Sequence, residues 1–73
     1  MDDKILLGKR IKYFRSIRSW TQEDFADRLG IGLPTMSKVE RGVIDVPFTR
    51  LCKMSKVLGV SLSDLVNIHN AKG

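Results

Sequence analysis

Apolar residues recur at three- and four-residue intervals along most of the chain, and the interruptions fall at residues that start or stop helices. Leu7, Ile11 and Phe14 share one side of a first helix that Asp2 or Asp3 can cap and that should run to about Arg18, ending at Ser19. Thr21 can cap a second helix, with Asp24 three residues later completing a capping box and Phe25, Ala26 and Leu29 forming the buried face. Gly30 is placed to stop that helix with a positive φ angle. After Ile31 and Gly32 a third helix starts, with Pro34 in its first turn, where the missing N–H costs nothing, and with Met36 and Val39 pointing inward. Phe48, Leu51, Cys52, Ser55 and Leu58 mark a core-facing fourth helix over residues 47–58, widened by Met54 and Val57 and stopped by Gly59. Ser61 and Asp64 open a fifth helix, and Asn70 to Gly73 read as a frayed tail. Strand alternation and internal repeats are missing from the sequence. The predicted fold is all-α, one compact five-helix domain over residues 1–73.

Residues 21–42, TQEDFADRLGIGLPTMSKVERG, are the centre of this pattern. Two short helices at a steep angle across a tight glycine-bearing turn make a helix-turn-helix unit, whose second helix can enter a DNA major groove. The other helices are expected to support it. The fifth has a further feature: Leu62, Leu65, Val66 and Ile68 make it apolar on more than one side, more than a small monomer needs to cover its core. A second copy of the chain is expected to bury the excess.

Composition narrows the function classes. The chain has 73 residues, of which 42% are hydrophobic and 29% charged, an ordinary balance for a folded domain. A chain of that length buries roughly 60% of its unfolded surface and has little stability to spare. No apolar run approaches the roughly 20 residues of a membrane span and no signal-peptide pattern is present, so the expected location is cytoplasmic, with no membrane partner. A net charge of +5 suits a polyanionic partner. Lys4, Lys9, Arg10, Lys12, Arg15 and Arg18 lie in the first helix, either as a solvated basic face or beside a phosphate backbone. Cys52 has no partner for an internal disulfide and reads as a packed thiol, and Trp20 should drop between the first two helices. His69 is the one histidine, near the chain end, and reads as an exposed helix residue rather than a catalytic base. With no metal-site spacing, Gly-rich phosphate loop, nucleophile elbow or paired carboxylates, an enzyme is not expected, nor any metal, cofactor or small-molecule ligand.

The segments TQEDFADRLGI, TMSKVERG and LCKMSKVLGVSLSDL resemble the phage-repressor and Cro type of helix-turn-helix regulator, over roughly residues 8–66. In size the chain is similar to restriction–modification controller proteins or a small phage or mobile-element repressor. The resemblance implies a transcriptional regulator that binds double-stranded DNA as a homodimer on a two-fold related operator, with Leu62, Leu65, Val66 and Ile68 in the dimer contact. It assigns Gln22 to a backbone phosphate through its side-chain amide, with Thr21 contacting phosphate beside it at the N-terminus of the second helix. It pairs Arg15 with Glu40 as a structural ion pair between the first and third helices. It presents Leu33, Pro34, Thr35, Ser37 and Lys38 to base edges, with Lys38 donating to guanine and Leu33 touching a thymine methyl.

The chain departs from the family at Gly32, where a capping Ser or Thr is common, and at Leu33 and Pro34, which replace polar readers. After Gly42 it has Val43 and Ile44 where basic residues often grip phosphate; the backbone N–H at Val43 is then the expected contact, with Arg10, Arg41 and Lys38 as electrostatic ones. The alternative is a protein-interaction module on the same fold, docking through Leu33, Val43 and Ile44.

Overall fold

The computed structural model describes residues 2–67, so Ile68 of the expected dimer contact, His69 and the expected tail over residues 70–73 lie outside it. Five helices follow in order: α1 (Asp3–Ser16), α2 (Gln22–Leu29), α3 (Leu33–Arg41), α4 (Phe48–Leu58) and α5 (Leu62–Val66), with no strand among the described residues. The Asp2 carboxylate accepts the Lys4 backbone N–H at 2.8 Å and so caps α1. That helix ends two residues before the expected Arg18. The chain turns over Ile17–Ser19 and Ser19 takes a left-handed φ of 59°, unusual for a residue with a Cβ.

α1 packs on α3 and α5, α2 on α3 and α4, and α4 on α5. Ile11, Phe25, Ala26, Leu29, Met36, Val39, Met54, Leu58 and Leu65 are all buried where these helices meet. Leu7, Phe14 and Leu51 pack at the margin of that core. Trp20 is half-buried, stacked on Phe25 at 5.9 Å between ring centroids, with the Arg28 guanidinium 4.2 Å above the indole. Phe48 departs from its expected inward position: it is the first residue of α4 and is 67% exposed. Met54, taken as the edge of the α4 stripe, is at its centre and fully buried. Cys52 is half-buried, and the Ser55 hydroxyl beside it donates to the Cys52 carbonyl at 2.8 Å.

One contact decides how closely the bundle closes. A Cβ on Gly8 would lie 2.6 Å from the carbonyl oxygens of both Val39 and Glu40, so only glycine lets α1 cross the end of α3 at this distance. Gly42, at φ 75°, ends α3 against Ile5 in the same crossing.

Candidate nucleic-acid interface

The helix-turn-helix unit is built from local signals. Thr21 Oγ1 accepts the Asp24 N–H at 3.0 Å, and Asp24 accepts the Thr21 N–H at 2.9 Å, a reciprocal capping box that fixes where α2 begins. The Thr21 and Asp24 hydrogen bonds hold the Asp24 carboxyl below the usual carboxylate range, against a small opposing effect of burial and with help from Arg28. Gly30 ends α2 in the left-handed conformation, and the Ile31 N–H closes back onto the Ala26 carbonyl at 3.0 Å. Gly32 begins α3 without a side-chain cap, and Pro34 stands at N2.

Met36, Val39 and Glu40 are buried, which turns the opposite side of α3 outward. Leu33 is 44% exposed; Pro34, Lys38 and Arg41 are exposed, and Ser37 is half-buried beside them. These positions, spaced by one, three and four, form one continuous stripe. Thr35 lies on its flank, half-buried. The stripe runs from carbon at its N-terminal end to cation at its C-terminal end.

A buried polar network holds this stripe in register with α2. Arg15 meets Glu40 through two parallel bonds, Nε to Oε2 at 2.6 Å and Nη2 to Oε1 at 2.9 Å, with 10% and 2% of the side chains exposed. Arg15 Nη1 also donates to the Trp20 carbonyl at 2.6 Å, the residue before the α2 cap. Gln22 Nε2 donates to Glu40 Oε1 at 3.0 Å. Glu40 therefore joins α1, α2 and α3 through one carboxylate. The Gln22 and Trp20 contacts carry no sequence signal, because both partners come together only through the packing of three helices. Gln22 keeps its second N–H for an outside acceptor. Glu23 and Asp24 fill the first turn of α2, so an anion there is met by these side chains rather than by a bare helix dipole.

Three residues with sequence-derived assignments meet other partners within the chain. Arg10 Nε donates to the Asp64 carbonyl at 2.7 Å and its guanidinium lies 5.2 Å from the Phe14 ring centroid, which ties this side chain to α5. The Val43 backbone N–H donates to the Lys38 carbonyl at 3.1 Å, closing the C-terminus of α3, and is spent. Leu65, assigned to the dimer contact, is fully buried within its own chain, because α5 packs against both α1 and α4 there. On α5 Val66 remains 36% exposed and Leu62 half-buried. Ile44 is also half-buried and packs on the core, which leaves Leu33 and Val43 as the exposed part of the apolar trio.

Residues 11–65 match the model of a helix-turn-helix family. An HTH-type transcriptional regulator of Methanocaldococcus jannaschii is 34% identical over 59 residues, which cover 81% of this chain and 89% of that one. The HTH-type transcriptional regulator ImmR of Bacillus subtilis is 37% identical over 60 residues, covering 82% of this chain but 47% of its own. Among solved structures, the restriction–modification controller protein C.AhdI from Aeromonas hydrophila superposes with a TM-score of 0.84 at 25% identity, over 89% of this chain and 98% of that one. The clp gene regulator ClgR from Corynebacterium glutamicum shares the fold, with a TM-score of 0.85 at 24% identity over 90% of this chain and 70% of that one.

Proposed function

Because this chain belongs to the helix-turn-helix family of DNA-binding transcriptional regulators, we propose that it binds a specific double-stranded DNA sequence as a homodimer on a two-fold related operator, with α3 in the major groove. The observation that carries the reading is the outward stripe of α3, held rigidly against α2 by the buried Arg15–Glu40–Gln22 network. Lys38 donates to guanine O6 or N7, Ser37 and Thr35 hydrogen-bond at neighbouring positions, and Leu33 and Pro34 face the groove with carbon. Gln22, Thr21 and Arg41 hold backbone phosphate; most of the affinity and its salt dependence come from such contacts. Val66 and Leu62 contribute the described part of the dimer contact. The likeness to a restriction–modification controller supports a role of that kind.

A salt titration on duplex DNA tests the reading. The logarithm of affinity should fall with the logarithm of salt at about −0.9 per phosphate neutralised. A flat response with every duplex tried would overturn it. Lys38→Ala should relax base preference at one position while Gln22→Ala weakens all duplexes alike. Equal losses for Lys38→Ala on selected and random DNA would remove Lys38 from the readout.

A further inference from the structure

The outward stripe of α3 is chemically divided. Its most exposed positions in the first turn carry only carbon side chains: Gly32 has no side chain, Leu33 is 44% exposed, and Pro34 is exposed with no N–H to donate, while the Thr35 hydroxyl lies on the flank, half-buried. Cations begin at Lys38 and continue to Arg41, and the one carboxylate of the helix, Glu40, is turned inward to Arg15 and Gln22. Apolar surface bordered by exposed positive charge, with no exposed acid on the same helix, is complementary to a duplex.

When a helix-turn-helix unit docks, the N-terminal residues of its second helix are the ones that contact base edges. Carbon cannot exchange hydrogen bonds with the oxygens and nitrogens there. The apolar group that a natural base pair shows in the major groove is the thymine C5-methyl, and 5-methylcytosine shows the same group at the same place. We propose that DNA recognition by this chain depends on pyrimidine C5-methyl groups seated against Leu33 and Pro34. This rests on the DNA-binding reading above and deepens it by naming the chemical group that the first turn of α3 reads. The half-exposed Leu33 gains further apolar burial when such a methyl is present, so removing the methyl removes contact without touching the hydrogen bonds of the base pair.

The test uses a duplex that the whole chain selects from a random pool, resynthesised with deoxyuridine in place of thymidine and, separately, with 5-methylcytosine in place of cytosine. Affinities for the three duplexes are measured at one salt concentration. Each seated methyl should change affinity about fourfold, the value expected for burying one methyl-sized group. A loss with deoxyuridine assigns thymine as the source, and a gain with 5-methylcytosine assigns the modified base. Leu33→Ala and Pro34→Ala should shrink the methyl preference toward unity and leave the salt slope unchanged. Equal affinity of the wild-type chain for all three duplexes overturns the proposal and leaves the DNA-binding reading standing, as does a methyl preference that survives in both variants. Failure to retain any duplex from the pool overturns both.

Discussion

Glu40 shows how much a single buried side chain can decide. Its carboxylate accepts from Arg15 twice and from Gln22 once, and only 2% of it meets solvent. Glu40→Ala leaves the Arg15 guanidinium buried without its counter-charge, a change that costs about 3–5 kcal/mol. A domain this small has stability of roughly that size to lose, so urea denaturation of the variant should show a greatly lowered midpoint. Replacing both partners, as in the pair Arg15→Met and Glu40→Leu, should recover part of the loss. The recovery stays incomplete, because the Trp20 carbonyl and the Gln22 amide lose their partners as well. Gln22→Ala, by contrast, leaves the bidentate pair in place, so its effect should appear in DNA affinity much more than in the denaturation midpoint.

At the scale of elements, α2 depends on its cap and α1 on its glycine. Hydrogen bonds from Thr21 depress the folded-state pKa of Asp24 below its unfolded value. The unfolded chain therefore takes up the proton first as pH falls, so the stabilisation is fully present above about pH 4 and is lost as pH drops through the folded-state pKa. Thermal unfolding followed between pH 6 and pH 2.5 should show a smaller acid-induced fall for Asp24→Asn than for the wild type. Gly8→Ala sets a different demand. The added methyl would stand 2.6 Å from two carbonyl oxygens of α3, forcing the helices apart at about 1–3 kcal/mol. The melting temperature should drop by several degrees, since each kcal/mol is worth roughly 4–8 °C in a domain of this size. Gly32→Ala is the control: its Cβ would meet only Pro34 Cδ at 3.6 Å, an ordinary contact, and the melting temperature should stay near that of the wild type.

For the whole molecule, a Cα radius of gyration of 11.3 Å is close to the value of about 11 Å expected of one domain of this length, with all five helices sharing one core. α5 therefore belongs to the core, and on the proposed reading it also carries the dimer contact. Leu65→Ala opens a cavity in that core and should cost about 2–5 kcal/mol by denaturation. Val66→Glu changes a residue already 36% exposed and should lower the melting curve of dilute protein much less than Leu65→Ala does. Sedimentation at high micromolar concentration should then show a dimer for the wild type and a monomer for Val66→Glu. A wild-type chain that remains monomeric with and without DNA would remove dimerisation from the proposed function.

Helix positions, the turn at Gly30, the inward set Met36 and Val39, and the pairing of Arg15 with Glu40 could all be read from the sequence or its family resemblance. Helical period and end chemistry act over a few residues, and they fix which side of a helix is apolar. What they leave open is how far a neighbouring helix extends and which polar groups it uses up. Phe48 continues the α4 stripe yet stays exposed, and Leu65 falls on the side of α5 that α1 and α4 enclose. Arg10 Nε donates to a carbonyl 54 residues away. The Val43 N–H is taken by the closure of α3, and Gly8 is needed because two backbones cross there. The sequence by itself determined the five helices and the face that α3 turns outward, because both follow from local periodicity. Tertiary structure alone decided which charges and apolar residues on those helices remain free for a partner, because that depends on contacts between residues far apart in the chain.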